Sequence, residues 1–472
     1  MRPATNRRGN HMNRSRTALL AVLAVLGLLA GACSSGSSGS SSDTTTSGDG
    51  TEYSGTTIRV PDDFPTIQDA VNSASPGDLV LVGAGIYKEA VDVETPGLTI
   101  RGLDRNATIL DGEFTRDNGV RVLGADNVTV QNMTARNYTG NGFYWTGVEG
   151  YHGSYLTAYR NGDYGIYAFD SVRGQLDHSY ASGSPDAGFY IGECYPCDAA
   201  ILDVVSEYNG LGYSGTNSGG NLTIARSEFA YNRSGLVPNS GSYELCYPER
   251  DTTVVGNLVH DNGASPDTPA IDVAKLAMGT GILPAGGRNN LIQNNRVYNH
   301  ERVGIGLVPF PEENPKDDQP TGDELTIPCS EARNLPRADP ASLPASMFWD
   351  AMGNTVKGNV VSGSGIADLA FGTLTGTDQT LDNCFEGNTF TTSAPANIET
   401  VMACTNPTGS FTGTLDLPAL IASERPPSGD YKTQPLPPEQ PNMPDAATAP
   451  GMPAVDVPEK IDVESIPVPA QP

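Results

Sequence analysis

A short pattern returns along the middle of the chain: glycine, then an apolar residue, then often an aromatic one. It reads Gly142-Phe143-Tyr144, Gly165-Ile166-Tyr167, Gly188-Phe189-Tyr190, Gly212-Tyr213-Ser214 and Gly235-Leu236-Val237, with starts 23, 23, 24 and 23 residues apart. It resumes at Gly281-Ile282-Leu283, Gly304-Ile305-Gly306 and Gly365-Ile366-Ala367. A second phase holds an amide at a recurring place, in Gln131-Asn132-Met133, Gly256-Asn257-Leu258, Asn294-Asn295-Arg296, Gly358-Asn359-Val360 and Gly387-Asn388-Thr389. Glycine and asparagine at one repeated position predict a turn with positive φ, and stacked amides can hydrogen-bond up the column. Strands this short cannot bury an apolar face alone. Stacking one unit on the next at about 4.8 Å pairs each strand with its copies above and below. The pattern therefore predicts an all-β, single-domain coil of parallel sheets. The Leu-x-x-Leu-x-Leu signature of leucine-rich repeats is missing, and a propeller would need a longer period with hairpins.

The start of the coil is legible too. Val60 to Val71 runs from an extended stretch into a short amphipathic helix, which Ser75-Pro76-Gly77-Asp78 ends. Such a helix suits the cap that a solenoid needs over its open end. Leu79-Val80-Leu81-Val82 and Leu98-Thr99-Ile100-Arg101-Gly102 then read as buried strands. The passage from Thr66 to Gly112, with Pro76-Gly77-Asp78, Gly85-Ile86-Tyr87 and Ile109-Leu110-Asp111-Gly112, resembles the N-terminal part of pectin-lyase-like proteins. The later units resemble the right-handed parallel β-helix repeats of that superfamily. The likeness spans about 57 to 405 and implies the fold; this superfold carries lyases, hydrolases, epimerases and non-catalytic proteins alike. Residues 57–414 are thus expected to form the β-helix, with inserted loops at about 238–250, 264–278 and 310–346 that wall its flank.

Both ends differ from this body. Arg7, Arg8, Arg14 and Arg16 precede an apolar run from Ala18 to Leu29, which is the layout of a secretory signal. Leu29-Ala30-Gly31-Ala32-Cys33 resembles the lipobox of bacterial lipoproteins, and that resemblance implies a signal peptide over 1–33 and a lipid on Cys33. The Ser/Gly-rich segment 34–56 then reads as a flexible tether. The expected location is the outer side of a cell membrane, reached through the lipid anchor alone. Residues 415–472 are rich in proline without apolar periodicity and read as a disordered, extended tail.

Acidic residues outnumber basic ones by 55 to 28, for a net charge of -27. Such a chain repels phosphate backbones, which excludes nucleic acid as a natural partner. It also disfavours polyanionic sugars unless calcium bridges the two, so calcium is the one cofactor the charge suggests. The same charge keeps an exported protein soluble, and a monomer is expected. Besides Cys33 there are six cysteines, an even number that points to disulfides. Six cysteines allow 15 connectivities; the expected pairs are Cys194 with Cys197, Cys246 with Cys329, and Cys384 with Cys404. The Cys194-x-x-Cys197 spacing has no partner CxxC and no following helix, so a structural bridge is preferred to a zinc or redox role.

Alternation along the strands places chemistry. If Phe143, Ile166 and Phe189 point inward, Tyr144, Tyr167 and Tyr190 form an outward column. Two residues before the repeated glycines stand Asp163, Asp186 and Arg233; five after them stand Asp170, Glu193 and Asn217. Tyrosine faces can stack on sugar rings, and acid–base work on a glycosidic bond needs two carboxyls about 5 to 9.5 Å apart, a spacing that neighbouring turns supply. Asp163, Asp186, Asp170 and Glu193 are therefore the candidate catalytic acids. Tyr144, Tyr167, Tyr190, Asn217 and Arg233 are the candidate substrate contacts. Against this stands the plain structural role of Asp and Asn at β-helix turns. His152, His178, His260 and His300 fall on separate turns, and the nine methionines are scattered, so neither set predicts a metal site. Alginate-epimerase-like β-helices carry Asp-Pro-His after Tyr-Gly. Here Tyr164-Gly165-Ile166-Tyr167-Ala168-Phe169-Asp170 lacks the Pro-His. No pectate-lyase-like pairing of acids with Arg173 or Arg233 is found either. The expected function is a carbohydrate-binding or carbohydrate-active envelope protein with a polysaccharide or cell-wall glycan as partner. The competing class is a non-catalytic envelope or adhesion scaffold.

Overall fold

The computed structural model describes residues 55–263, 265, 267–271, 276–315, 325–374, 379–411, 413–423, 426–451 and 457–472, with two-residue strands at Thr45–Thr46 and Glu52–Tyr53. The expected signal peptide, Cys33 and most of the tether lie outside the described residues.

The repeat becomes three long parallel sheets. Twelve strands, from Thr57–Val60 to Cys384–Glu386, make the first; ten, from Gly85–Tyr87 to Val360–Ser362, the second; eleven, from Val91–Val93 to Ser393–Ala394, the third. Most turns of chain add one strand to each sheet, and crossovers between parallel strands take the right-handed sense. The protein is a right-handed parallel β-helix. In the third sheet Phe143 lies on Ile166 and Ile166 on Phe189, while Tyr144 lies on Tyr167 and Tyr167 on Tyr190. Phe143, Ile166 and Phe189 are fully buried, as the alternation predicts.

Amide ladders pin the turns. Asn257 donates through its backbone and its side-chain amide to Oδ1 of Asn295, Asn295 to Asn359, and Asn359 to Asn388. A second ladder runs from Asn209 to Asn232 to Asn262. Each buried amide finds partners above and beside it, so the columns leave few polar groups unmet. The place before the first ladder takes positive φ, at Gly256 (63°), Asn294 (53°) and Gly358 (65°). Asn132 (54°) belongs to that preceding place: through Ser154, Asp177, Leu202 and Ala225 the register sets Gln131 against Val255. Asn132 therefore stands opposite Gly256 rather than Asn257, one residue off the sequence alignment, and Met133 fills the ladder site.

The helix Ile67–Ser73 closes the N-terminal end. Thr66 caps it by accepting from Asp69 N at 3.1 Å, and Ile67, Ala70 and Val71 press into the first turn. The helix Ile398–Val401 sits at the other end, with Ile398 and Val401 buried. All three expected cysteine pairs are joined, at Cα separations of 4.8, 5.2 and 4.8 Å.

The proline-rich tail departs from expectation, because its described residues are bound along the coil. The helix Leu417–Ala422 lays Leu417 and Leu420 on the outer face of the third sheet. Farther on, the carbonyls of Pro426 and Pro427 accept from Arg233, that of Pro441 from Arg105, and those of Ala449 and Pro450 from Arg101. The chain then returns along the first sheet. There Ile461, Val463 and Ile466 cover Ala200, Leu202, Ala225 and Val255, and Arg296 donates to Pro469 O. The physical reason is mutual. Proline leaves carbonyls without competing N–H groups, and buried guanidinium groups need acceptors.

Candidate functional site

The tyrosine column lies on the outer face of the third sheet, and inserted loops fold over part of it. Tyr144 and Tyr167 are half-buried, whereas Tyr190 is buried. Tyr167 stacks on Tyr190 with ring centroids 4.5 Å apart, and Tyr164 joins them at 4.4 Å from Tyr167 and 5.1 Å from Tyr190. From the 238–250 loop, Glu244 accepts the Tyr190 hydroxyl. On the other side the Tyr164 hydroxyl donates to Asp186 at 2.8 Å.

Just beyond this cluster is a pocket of about 290 Å³. Tyr164, Asp186 and Glu244 stand at one end of it. Ser214 and Thr216 lie on its floor, and Tyr243 forms a wall whose hydroxyl is held by Asn239 and Thr216. Its far part is lined by Val237, Leu276, Ala277, Leu283, Ala285 and Phe310. Burial pushes the Asp186 carboxyl up to about 7, and the neighbouring Asp163 charge adds to this while the Tyr164 hydroxyl opposes it. Desolvation likewise raises Asp163 to about 6, although its exposed side chain keeps solvent on one side. Asp186 is thus the carboxyl best placed to hold a proton near neutral pH.

The other predicted acids do different work. Asp170 takes a bidentate ion pair from Arg333, which also reaches Glu193 Oε1 at 3.4 Å. Glu193 accepts from Leu245 N at 3.3 Å; burial raises it to about 7, partly offset by Arg333. Arg333 follows Cys329, whose disulfide to Cys246 ties the 310–346 insertion to the 238–250 loop. This edge of the column is therefore a clamp, in which Asp170 and Glu193, expected as catalytic acids, are paired with a cation. Asn217, expected as a substrate contact, is fully buried and donates to Gly241 O and Glu244 O, so it shapes the loop that carries Glu244. Arg233, 1% exposed, spends its guanidinium on Thr268 O and the two tail carbonyls. Both side chains are buried in this structure.

The structure also adds residues. Tyr164 precedes a repeated glycine and so was visible, but its ring joins the column from outside the strand. Glu244, Tyr243 and Phe310 come from insertions, where no periodicity assigns a facing direction. Among the described residues no group of three or more His, Cys, Asp or Glu side chains is arranged to hold a metal. The calcium expectation thus has no preformed all-protein cage behind it here.

No family model matches the chain, and no curated protein does. Among solved structures, the A-module of a mannuronan C-5 epimerase from Azotobacter vinelandii superposes with a TM-score of 0.42 at 14% identity. That match covers 70% of this chain and 93% of that one. An alginate lyase from Paenibacillus sp. gives 0.40 at 16% identity, over 54% of this chain and 90% of that one. Pectate lyase Pel9A gives 0.40 at 13% identity, over 80% and 84%. At these identities the likeness concerns the coil, and the chemistry of this chain has to be argued from its own pocket.

Proposed function

We propose that this protein is a carbohydrate-active protein whose pocket receives a saccharide, with Asp186 as proton donor to a glycosidic oxygen and Glu244 as the facing carboxylate. One observation carries the reading: a carboxyl raised to about 7, hydrogen-bonded by Tyr164, lines a pocket that a second acid, Glu244, lines with it. Glycoside hydrolysis uses two carboxyls, one as proton donor and one to aid water or the anomeric carbon. Tyr190 and Tyr164 would hold the two acids in place through their hydroxyls. In the same proposal the protein works outside the cytoplasmic membrane on a lipid anchor at Cys33, a setting in which three disulfides persist.

The test is a glycan array run beside a reducing-end assay on wild type, Asp186→Asn and Glu244→Gln. The expected result is turnover by wild type, falling at least 100-fold in either variant with binding retained. Binding without turnover by wild type would reject the catalytic role and leave a carbohydrate-binding scaffold. No binding to any glycan would reject the saccharide reading as a whole.

A further inference from the structure

The pocket lining grows more apolar along the coil axis, with Leu211 beside the acidic end and Asn239 on the strand of Val237. Its N-terminal end carries Tyr164 and Asp186, which precede the strands of Tyr167 and Tyr190, and Glu244, which reaches the Tyr190 hydroxyl from the 238–250 loop. Moving toward the C-terminus, the floor passes from Ser214 to Val237 to Leu283, three successive turns of the third sheet. At about 4.8 Å per turn, the apolar end lies about 10 to 14 Å from the acidic one. Val237, Leu283 and Ala285 floor it, and Phe310, Leu276 and Ala277 line it with them. Val237, Leu283 and Ala285 belong to one buried cluster with Leu417 of the tail helix, so the apolar character continues behind the pocket wall.

A ring bearing hydroxyls all round would not satisfy this space. Each hydroxyl placed against Val237, Leu283 or Phe310 would lose water and gain no partner. A uronate would fare worse, because two carboxyls already face the pocket and the whole chain carries a charge of -27. We propose that the ligand is a neutral saccharide bearing an apolar substituent, an O-acyl or O-alkyl group, with the sugar at the Asp186 end and the substituent among Val237, Leu283, Ala285 and Phe310. This inference rests on the saccharide reading above and narrows it.

Matched methyl and butyl glycosides of glucose, galactose, mannose and N-acetylglucosamine test it, titrated calorimetrically into the full chain. Three extra methylenes, fully buried, correspond to up to about 60-fold in affinity. The expected result is a butyl member at least 10-fold tighter in one or more pairs. Val237→Thr keeps the side-chain shape while adding a hydroxyl. It should cut that advantage about threefold or more. Equal affinity of methyl and butyl in every binding pair would overturn the inference and leave the saccharide reading standing. So would a butyl advantage untouched by Val237→Thr. Binding of 1-O-butylglycerol as tight as the best butyl glycoside would instead reject the sugar itself. No binding by any probe would overturn both.

Discussion

Replacing Asp186 by Asn removes a charge and keeps the shape, so it isolates what that charge costs the fold. In the unfolded chain this carboxyl ionises near 3.8, whereas in the folded protein it keeps its proton until about 7. Between those values the folded form binds the extra proton. Stability contributed by the neutral group is therefore present below about pH 4, is lost as pH rises to about 7, and stays lost above. Carried over that interval, the full effect is about 4 kcal/mol, and contact of the half-buried group with solvent brings it to about 2 to 4 kcal/mol. The amide of Asp186→Asn carries no charge at any pH, and its oxygen still accepts from Tyr164. At pH 8 the variant should thus be the more stable protein; at pH 4 the two should agree. If roughly 400 residues unfold together, with about 0.8 kcal/mol/K of entropy, the gain at pH 8 is about 3 to 5 °C in Tm. Scanning calorimetry of both proteins at pH 4, 6 and 8 reads it directly. Asp163 and Glu193 titrate in the same range, so the difference between the two proteins, not the wild-type profile, is diagnostic. A difference that does not change with pH, or a variant less stable at pH 8, would refute the burial argument and remove the proton donor with it.

Arg333→Met should cost about 1.5 to 3 kcal/mol, because Asp170 and the buried Glu193 lose their cation. Denaturant melts should show a larger cost at pH 8 than at pH 5, where Glu193 takes up a proton; equal costs would mean that the clamp does not bear on charge. Ile466→Asp should lift the returning stretch of the tail, since Ile466 is 7% exposed over Ala225 and Val255. Amide exchange in 457–469 should then accelerate at least tenfold while the strands beneath stay protected; unchanged exchange would show that the arginine contacts hold the tail without the apolar ones.

What the repeat revealed, and what it hid, divides along one physical line. Period and alternation are local, so the coil, the cap Ile67–Ser73, the inward Phe143, Ile166 and Phe189 and the vertical alignment of three tyrosines were all readable. Whether an outward residue meets solvent depends on what folds over it. Tyr190 has the same strand position as Tyr144, yet the loop of Glu244 buries it. Asp170 and Glu193 share the outward phase of a catalytic edge, yet an arginine inserted from beyond residue 310 claims both. Insertions carry no period. Glu244 and Arg333, which partner the outward residues at each edge, are therefore the ones that counting could not place.

The tail is the instructive case, because its signal was on the strands rather than in the tail. Hydrogen bonds from arginines to carbonyls can be offered to any sequence, so 415–472 gave no hint of them. A sheet open to water on one face should alternate, however, and a sheet covered on both should not. Ala199, Ala200, Ile201 and Leu202 run apolar without a break, and all four are buried. Val254 and Val255 do the same two turns later. In a coil whose interior takes every second residue, such a run requires a second layer outside. Ile461, Val463 and Ile466 supply it. An uninterrupted apolar strand in a repeat that otherwise alternates is thus a prediction that some other segment is bound there.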